Sequence, residues 1–262
     1  MGSAYTLHTD FPRITDASSP SSLRIAPAAL PHPVRGVLFD MCNILYDDTV
    51  WRRWLLRLLT QFGVQTNYRG LFHVWNRDHL DAVHCGRQSF GAALDAFLAS
   101  IGLSRSQIEE LQAASQAQRR QIEESLRPLP CVRPTLSRIV QRQCILGAIC
   151  NSELPASGLH GRLERFGMAP WFATAVSSID LGRTMPDAEC YRAALKNMGL
   201  SAEQTAFVGH DAVELAGATA LGMVTIAYNY DPDAQADVYL GRFEELDAVL
   251  LASTSPPLAA AG

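Results

Sequence analysis

Strand and helix patterns alternate through the second half of this 262-residue chain, and this alternation constrains its fold more than any other feature. Apolar, β-rich runs are separated by amphipathic helical segments, and one further run of the same kind precedes them. Parallel strands need a crossover connection, usually a helix, so this order is typical of a doubly wound parallel sheet with helices on both faces. We therefore expect an α/β fold. The predicted strands lie at residues 34–40, 144–151, 172–178, 205–210 and 223–229.

A run of helical patterns interrupts the alternation directly after the first predicted strand. Three of these segments end at Gly63, Gly86 and Gly102, and glycine commonly follows the last turn of a helix. A fourth begins with Ser104 and Gln107, which have the spacing of a capping box. Because the helices emerge beside the end of a strand, where ligands bind in such sheets, we predict that they form a cap over a pocket.

The sequence predicts four regions. Residues 1–33 are rich in Ser, Pro, Ala and Thr and are interpreted as a mobile N-terminal arm. The α/β core comprises residues 34–48 and 128–251, and the helical cap comprises residues 49–127. Residues 252–262 are interpreted as a flexible C-terminal tail.

Composition and charge exclude several classes of protein. Hydrophobic residues make up 48% of the chain and charged residues 18%, so a large core is expected rather than disorder. The net charge is −4 and the basic residues are scattered, which argues against a nucleic-acid partner. No apolar run reaches the ~18 residues that a membrane span needs, and the N-terminus lacks a secretory pattern. Six cysteines without CxxC spacing indicate reduced thiols, so we expect a cytoplasmic protein. We expect its partner to be a small-molecule substrate, and the sequence does not indicate an oligomeric state.

Chemically useful residues follow the predicted strands. The run GVLFD ends in Asp40, and an aspartate at the end of a buried strand is costly unless it is paired or used. Ligands of doubly wound sheets bind at the carboxyl ends of the strands. The other strand ends and the loop between them therefore become candidates, and these are residues 150–152, 180–187 and 209–214.

Four segments resemble the haloacid dehalogenase-like hydrolases in the order that this family has them. They are LFDMCNILYDD (38–48), NSELPASGLHGRLERFGMAPWFATAVSSIDLG (151–182), PDAECYRAAL (186–195) and FVGHDAVELAGATALGM (207–223). The resemblance covers about residues 34–250 and implies a Rossmann-like core with an inserted helical cap. It also implies that Asp40 is a nucleophile that forms a covalent intermediate, which water then hydrolyses.

The chain departs from the family pattern at four chemical positions. The acid that family phosphatases carry two residues after the nucleophile is replaced by Cys42, and the hydroxyl residue before Asn151 is replaced by Cys150. Met185 stands where the family has lysine, and His210 stands where it has an acid for Mg²⁺. By resemblance the catalytic residues are Asp40, Cys42, Asn151 and His210; the substrate-binding positions are those of Cys150, Asn151 and Met185; and Mg²⁺ would lie on Asp40 and Asp211. Arg183, two residues before Met185, is a further candidate for substrate binding because it could replace the charge of the lysine.

Three interpretations of these departures remain open. The retained Asp40 and Asn151 favour a hydrolase of a phosphoester, phosphonate or haloacid. The simultaneous loss of four chemical groups favours a non-catalytic descendant that serves as a binding or partner module. Finally, two thiols, a thioether and an imidazole are ligands that select Zn²⁺ or Cu(I) over Mg²⁺, so a site for a soft cation is a third hypothesis. We expect Cys42 and Cys150 to face the cavity of Asp40, with His210 lining it.

Overall fold

The computed structural model describes residues 30–64 and 66–252. Residues 1–29 of the predicted arm, and residues 253–262 of the predicted tail, lie outside the described residues. The division of the remainder into a core and a cap at the proposed boundaries stays a prediction.

The described part of the chain contains a six-stranded parallel sheet with strand order β3-β2-β1-β4-β5-β6. This confirms the predicted fold class, and five of the strands lie within the predicted runs. The sixth was missed because an edge strand of three residues is too short to show a pattern. The strands are β1 (Gly36–Asp40), β2 (Ile145–Cys150), β3 (Phe172–Ser177), β4 (Thr205–Gly209), β5 (Val224–Tyr228) and β6 (Val238–Leu240).

Eleven α-helices accompany the sheet in the described residues, together with a π-helical turn at Asn76–Leu80 and a 3₁₀ turn at Ala169–Trp171. Six of them lie between β1 and β2. The helices are α1 (Val50–Gln61), α2 (Tyr68–Trp75), α3 (Asp81–His84), α4 (Phe90–Ser100), α5 (Arg105–Ser125), α6 (Val132–Gln141), α7 (Ala156–Arg165), α8 (Ser178–Leu181), α9 (Ala188–Met198), α10 (Ala212–Ala220) and α11 (Glu245–Ala252).

Both faces of the sheet are covered, as the near-continuous apolar strands require. On one face, alternate side chains of β1 such as Val37 and Phe39 pack with residues of α6, α7 and α11. On the other face, Leu38 packs with residues of α9 and α10. The strand β1 is therefore central in the sheet and buried on both sides, which leaves Asp40 at the end of a rigid element.

The inserted helices have a hydrophobic core of their own. Trp75 is 1% exposed and packs against Trp51, Phe90 and Phe97, with its ring centroid 5.3 to 5.8 Å from theirs. The capping box of Ser104 and Gln107 is confirmed at the start of α5. The single helix expected over residues 68–86 is instead α2, the π-helical turn and α3 in succession, which shifts the side chains that follow around the helix axis.

The loop between α8 and α9 is positioned by its close contact with the helix α10. Gly217 lies inside α10, and a Cβ atom built on it would stand 2.6 Å from the Cβ of Pro186. A residue without a side chain is needed there, because real Cβ atoms do not approach so closely. The result is that α10 holds the loop containing Met185 against the carboxyl edge of the sheet.

Candidate active site

The candidate site lies where the strand order reverses. The chain leaves β1 for β2 on one side and later returns to β4 on the other side, so β1 stands at the switch point where ligands of such sheets bind. A cavity of about 240 Å³ opens there. Its lining comes from the ends of β1, β2 and β4 and from α1, α3 and the π-helical turn: Asp40, Cys42, Asn43, Asp48, Arg52, Asn76, Leu80, Asp81, His84, Asn151, Thr184, Met185, His210, Asp211 and Glu214.

Asp40 is buried at the floor of this cavity, with 3% of its surface exposed. Its Oδ1 accepts a hydrogen bond of 3.2 Å from the backbone N–H of Cys42, and its Oδ2 lies 3.3 Å from Nε2 of His210. Burial raises the pKa of Asp40 from 3.8 to about 7, and the nearby His210 partly offsets that rise. The Asp40 carboxyl therefore has a pKa near neutral pH and lies directly beside the imidazole of His210.

Cys42 and Cys150 form a pair of sulfur atoms beside Asp40. Their Sγ atoms are 3.2 Å apart, and the Cys42 Sγ is also 3.4 Å from Oη of Tyr46. The hydrogen bond with Cys150, together with burial, raises the pKa of the Cys42 thiol, so Cys42 is a poor proton donor. Of the residues expected to face the cavity, Cys42 and His210 line it, whereas Cys150 is 1% exposed and lies behind Cys42.

Asn151 connects three parts of the site. Its Oδ1 accepts a 2.8 Å hydrogen bond from the backbone N–H of Met185, and its Nδ2 donates to the Met185 carbonyl at 3.3 Å and to Oε1 of Glu214 at 2.9 Å. Burial and the charge of Asp40 raise the pKa of Glu214, which favours its protonated form. The amide of Asn151 is thus used in holding Met185 and Glu214 in place.

Two residues that the sequence did not assign complete the cavity wall. Arg52 of α1 lies 3.5 Å from Oδ2 of Asp48, and both side chains line the cavity. His84 is also in the lining, and burial together with the charge of Arg52 lowers its pKa to about 4, so it is neutral at pH 7. The spacing of Asp48 and Arg52 by four residues at the start of a helix is the signal that could have identified this pair.

Arg183, expected to bind substrate, lies outside the cavity. Its side chain is 58% exposed and its Nη1 is 2.8 Å from Oδ2 of Asp187, at the start of α9. Asp187 accepts from the backbone N–H of Glu189, so the arginine completes a surface cluster at a helix terminus. The structure therefore brings together Asp40, Cys42, Asn151, Met185, His210 and Asp211 but not Arg183.

A chain of polar contacts connects the helix α5 to the sulfur pair. Glu123 of α5 accepts hydrogen bonds from Arg162 and Arg165 of α7. Arg162 also donates from Nη1 to Oη of Tyr46 at 2.7 Å, and Tyr46 in turn contacts Cys42. The inserted helices are thereby joined to a residue that lines the cavity.

The side chains present do not fit the Mg²⁺ site that the resemblance implies. Mg²⁺ requires oxygen ligands in nearly octahedral geometry. His210 stands against Oδ2 of Asp40, and Asp211 accepts from the N–H groups of Val213 and Glu214 as the N-cap of α10. In the described parts of the chain, one group of acidic, thiol or imidazole side chains is close enough to hold a cation, and it contains two sulfurs: Asp40, Cys42 and Cys150.

The fold and the site define an α/β protein with a cleft that is covered by inserted helices and has a buried carboxylate at the switch point. The chain belongs to the haloacid dehalogenase-like hydrolases, since the model of that family matches residues 34–222. Phosphatases of this family generally use Mg²⁺. A curated relative, the glyceraldehyde 3-phosphate phosphatase of Methanocaldococcus jannaschii, is 24% identical over 225 residues, which are 81% of this chain and 95% of the relative.

Solved structures show the same fold. The 2-haloacid dehalogenase from Pseudomonas syringae pv. Tomato DC3000 has a TM-score of 0.54 at 24% identity, over 84% of this chain and 99% of the other. A predicted phosphoglycolate phosphatase from Haemophilus somnus has a TM-score of 0.62 at 16% identity, over 82% and 97%. The names of these relatives divide between phosphatase and dehalogenase, all for small molecules, and lend no support to a non-catalytic role.

In the described residues we find no helix both apolar and long enough to cross a membrane.

Proposed function

We propose that this chain hydrolyses a small, singly charged organic acid that carries a leaving group on carbon, as a 2-haloacid does, with Asp40 as the nucleophile. The observation that supports this most is the Asp40–His210 pair at 3.3 Å beside a thiol in place of a carboxylic acid. A halide leaves as an anion without being protonated, whereas an alkoxide requires an acid. The reaction therefore matches a site that keeps its nucleophile and lacks its acid.

In the first step the Asp40 carboxylate attacks the substrate carbon. A bond forms between a carboxylate oxygen and that carbon, the carbon–halogen bond breaks, and the halide leaves with the bonding electrons. Ionised Asp40 is required, and the positive charge of protonated His210 stabilises it in a buried site. His210 thus supplies, from a different position, the positive charge that the lysine replaced by Met185 supplies in the family.

In the second step water attacks the carboxyl carbon of the Asp40 ester. His210 passes its proton to solvent and then, as a neutral imidazole beside the uncharged ester, accepts a proton from the attacking water as a general base. Negative charge develops on the carboxyl oxygen, and the N–H of Cys42, 3.2 Å from Oδ1, is aimed at that position. The ester C–O bond then breaks, and His210 returns the proton to the departing alkoxide oxygen, so that the hydroxy acid is released. The Asp40 carboxyl loses its remaining proton to solvent and is again a carboxylate.

The charges around the cavity favour this substrate over a phosphate monoester. The lining contains five carboxyl groups against one arginine and two histidines. A doubly charged phosphate would face this acidic wall without the lysine that Met185 replaces. A single carboxylate needs one cationic partner, and Arg52 is in the lining to provide it.

A screen of substrates in the presence of a chelator tests the proposal. We expect release of halide from 2-haloacids, and no release of phosphate from phosphate monoesters or phosphonates above the rate of an Asp40→Asn control. Phosphate release that requires added Mg²⁺ would instead support a phosphatase. If no compound reacts faster than the control, the alternative of a binding module is favoured.

The dependence of activity on pH should report Asp40. Since only the ionised carboxylate attacks, kcat/KM should rise up to about tenfold per pH unit below about 7 and level off above it. Halide release makes the first step irreversible, so the role of His210 in the second step does not enter kcat/KM.

The variant His210→Gln loses the charge that lowers the pKa of Asp40, and its profile of kcat/KM against pH should therefore move to higher pH. A profile that stays in place or moves to lower pH would contradict the proposed pair.

A further inference from the structure

Beyond the covalent reaction, we propose that Asp40, Cys42 and Cys150 bind a soft divalent cation of the Zn²⁺ type. One ligand atom from each of the three side chains lies within 4.8 Å of the others. The two sulfurs are already 3.2 Å apart although they lie 108 positions apart along the chain. Two thiolates and a carboxylate form a three-ligand set that leaves a fourth tetrahedral position for water or a substrate atom.

The distances require only a small adjustment. Zn–S bonds of ~2.3 Å in tetrahedral geometry place two sulfurs roughly 3.8 Å apart, so the pair must open by about half an ångström. Cys42 lies beyond the end of β1, where an isolated bridge pairs it with Tyr46 but the ladder of the sheet does not hold it, and it can supply this movement. Cys150 is the last residue of β2 and remains fixed by the sheet.

The surroundings suit a cation held by sulfur. Oη of Tyr46 accepts a hydrogen bond from Nη1 of Arg162 and lies 3.4 Å from the Cys42 sulfur. The O–H of the tyrosine is therefore directed away from Arg162 and toward the sulfur. Such contacts orient a ligand and are part of a metal site. Asp40 and Cys150 are almost fully buried, and a bound cation would offset the charge of the carboxylate and thiolate that hold it away from solvent.

The cavity provides an entry path. Cys42 is half-buried and lines the 240 Å³ cavity, as does Asp40, whereas Cys150 lies just behind. A cation entering from the cavity meets one thiol and the carboxylate before it reaches the second thiol. His210 stays with Oδ2 of Asp40 at 3.3 Å and orients the carboxylate rather than completing the ligand set.

Binding of Co²⁺ to the full-length, reduced protein tests this site. We expect one ion per chain, with thiolate-to-cobalt absorption bands and the visible bands of a tetrahedral ion, and we expect Zn²⁺ to remove both. Cys42→Ser and Cys150→Ser should each weaken binding by about 100-fold or more, since even outer contacts of metal sites contribute 10–100-fold. Cys144→Ser is the matched control, because Cys144 lies next to the opposite end of β2. Absence of thiolate bands, or bands unchanged in the Cys42 and Cys150 variants, would overturn the proposal.

A second measurement needs no variant and separates this proposal from the catalytic one. Zn²⁺ should protect Cys42 from alkylation in the wild-type protein, whereas the exposed Cys131 should react at the same rate with and without Zn²⁺. Mass spectrometry of the digested protein reads both sites in one sample. Equal alkylation of Cys42 with and without Zn²⁺ would overturn the metal site whatever the substrate screen finds.

Discussion

The variant Asp40→Asn is expected to lose hydrolytic activity by on the order of 10⁴-fold or more, which is the scale seen when a catalytic nucleophile is removed. The amide oxygen can still accept the N–H of Cys42, but an amide does not attack carbon. Halide release measured under saturating substrate is the readout. A variant that keeps more than about a tenth of the wild-type rate would exclude Asp40 as the nucleophile.

Stability provides the control for this variant. Because the pKa of Asp40 is raised in the folded protein, its ionised form is disfavoured there, and the free energy of unfolding declines as the pH rises from 3.8 to about 7. An uncharged asparagine avoids this loss, so at pH 8 the variant should unfold at the same temperature as the wild type or higher.

A single turnover of the wild type in heavy-oxygen water should place the oxygen label in the carboxylate of Asp40. Label found only in the product would indicate direct attack by water on the substrate.

The variant Asn151→Ala is expected to lower the free energy of unfolding by about 3 kcal/mol, because each buried polar group left without a partner costs about 1–3 kcal/mol. The backbone N–H of Met185 loses its 2.8 Å acceptor. Glu214 loses its 2.9 Å donor at Oε1, and no partner is found for its buried Oε2 among the described residues. Urea denaturation followed by circular dichroism measures this change.

Asn197→Ala is the matched control for that measurement. Asn197 is an exposed asparagine near the end of α9 with a single hydrogen bond of 3.1 Å to Thr174, so its loss should change stability by no more than about 0.5 kcal/mol. If Asn151→Ala is no more destabilising than Asn197→Ala, the amide does not hold the site together.

The fold was predictable from the sequence because its signals are local. Apolar β-rich runs and helical periodicity are visible in short windows, and they placed five of the six strands. The strand β6 has three residues, which is too few for a period to repeat. The π-helical turn at Asn76–Leu80 was also missed, since one extra residue per turn leaves no mark in the composition.

The site was predictable only in part, because its remaining features depend on register and long-range packing. The register that pairs Asp40 with Ile149 puts Cys150 at the last position of β2, behind Cys42 rather than in the cavity wall, and no short window contains that pairing. Arg183 was expected near the substrate from its place in the chain, yet Asp187 holds it at the surface. Glu214 entered the site through its bond to Asn151, 63 positions away.

The contacts from Glu123 through Arg162 and Tyr46 to Cys42 have a mechanical consequence. Any motion that lifts α5 away from α7 must first separate Glu123 from two arginines, and it also frees Arg162 to leave the tyrosine hydroxyl. The position of α5 is thereby connected, through Arg162 and Tyr46, to the sulfur that lies beside Asp40. The inserted helices and the thiol of Cys42 are therefore parts of one continuous set of hydrogen-bonded side chains.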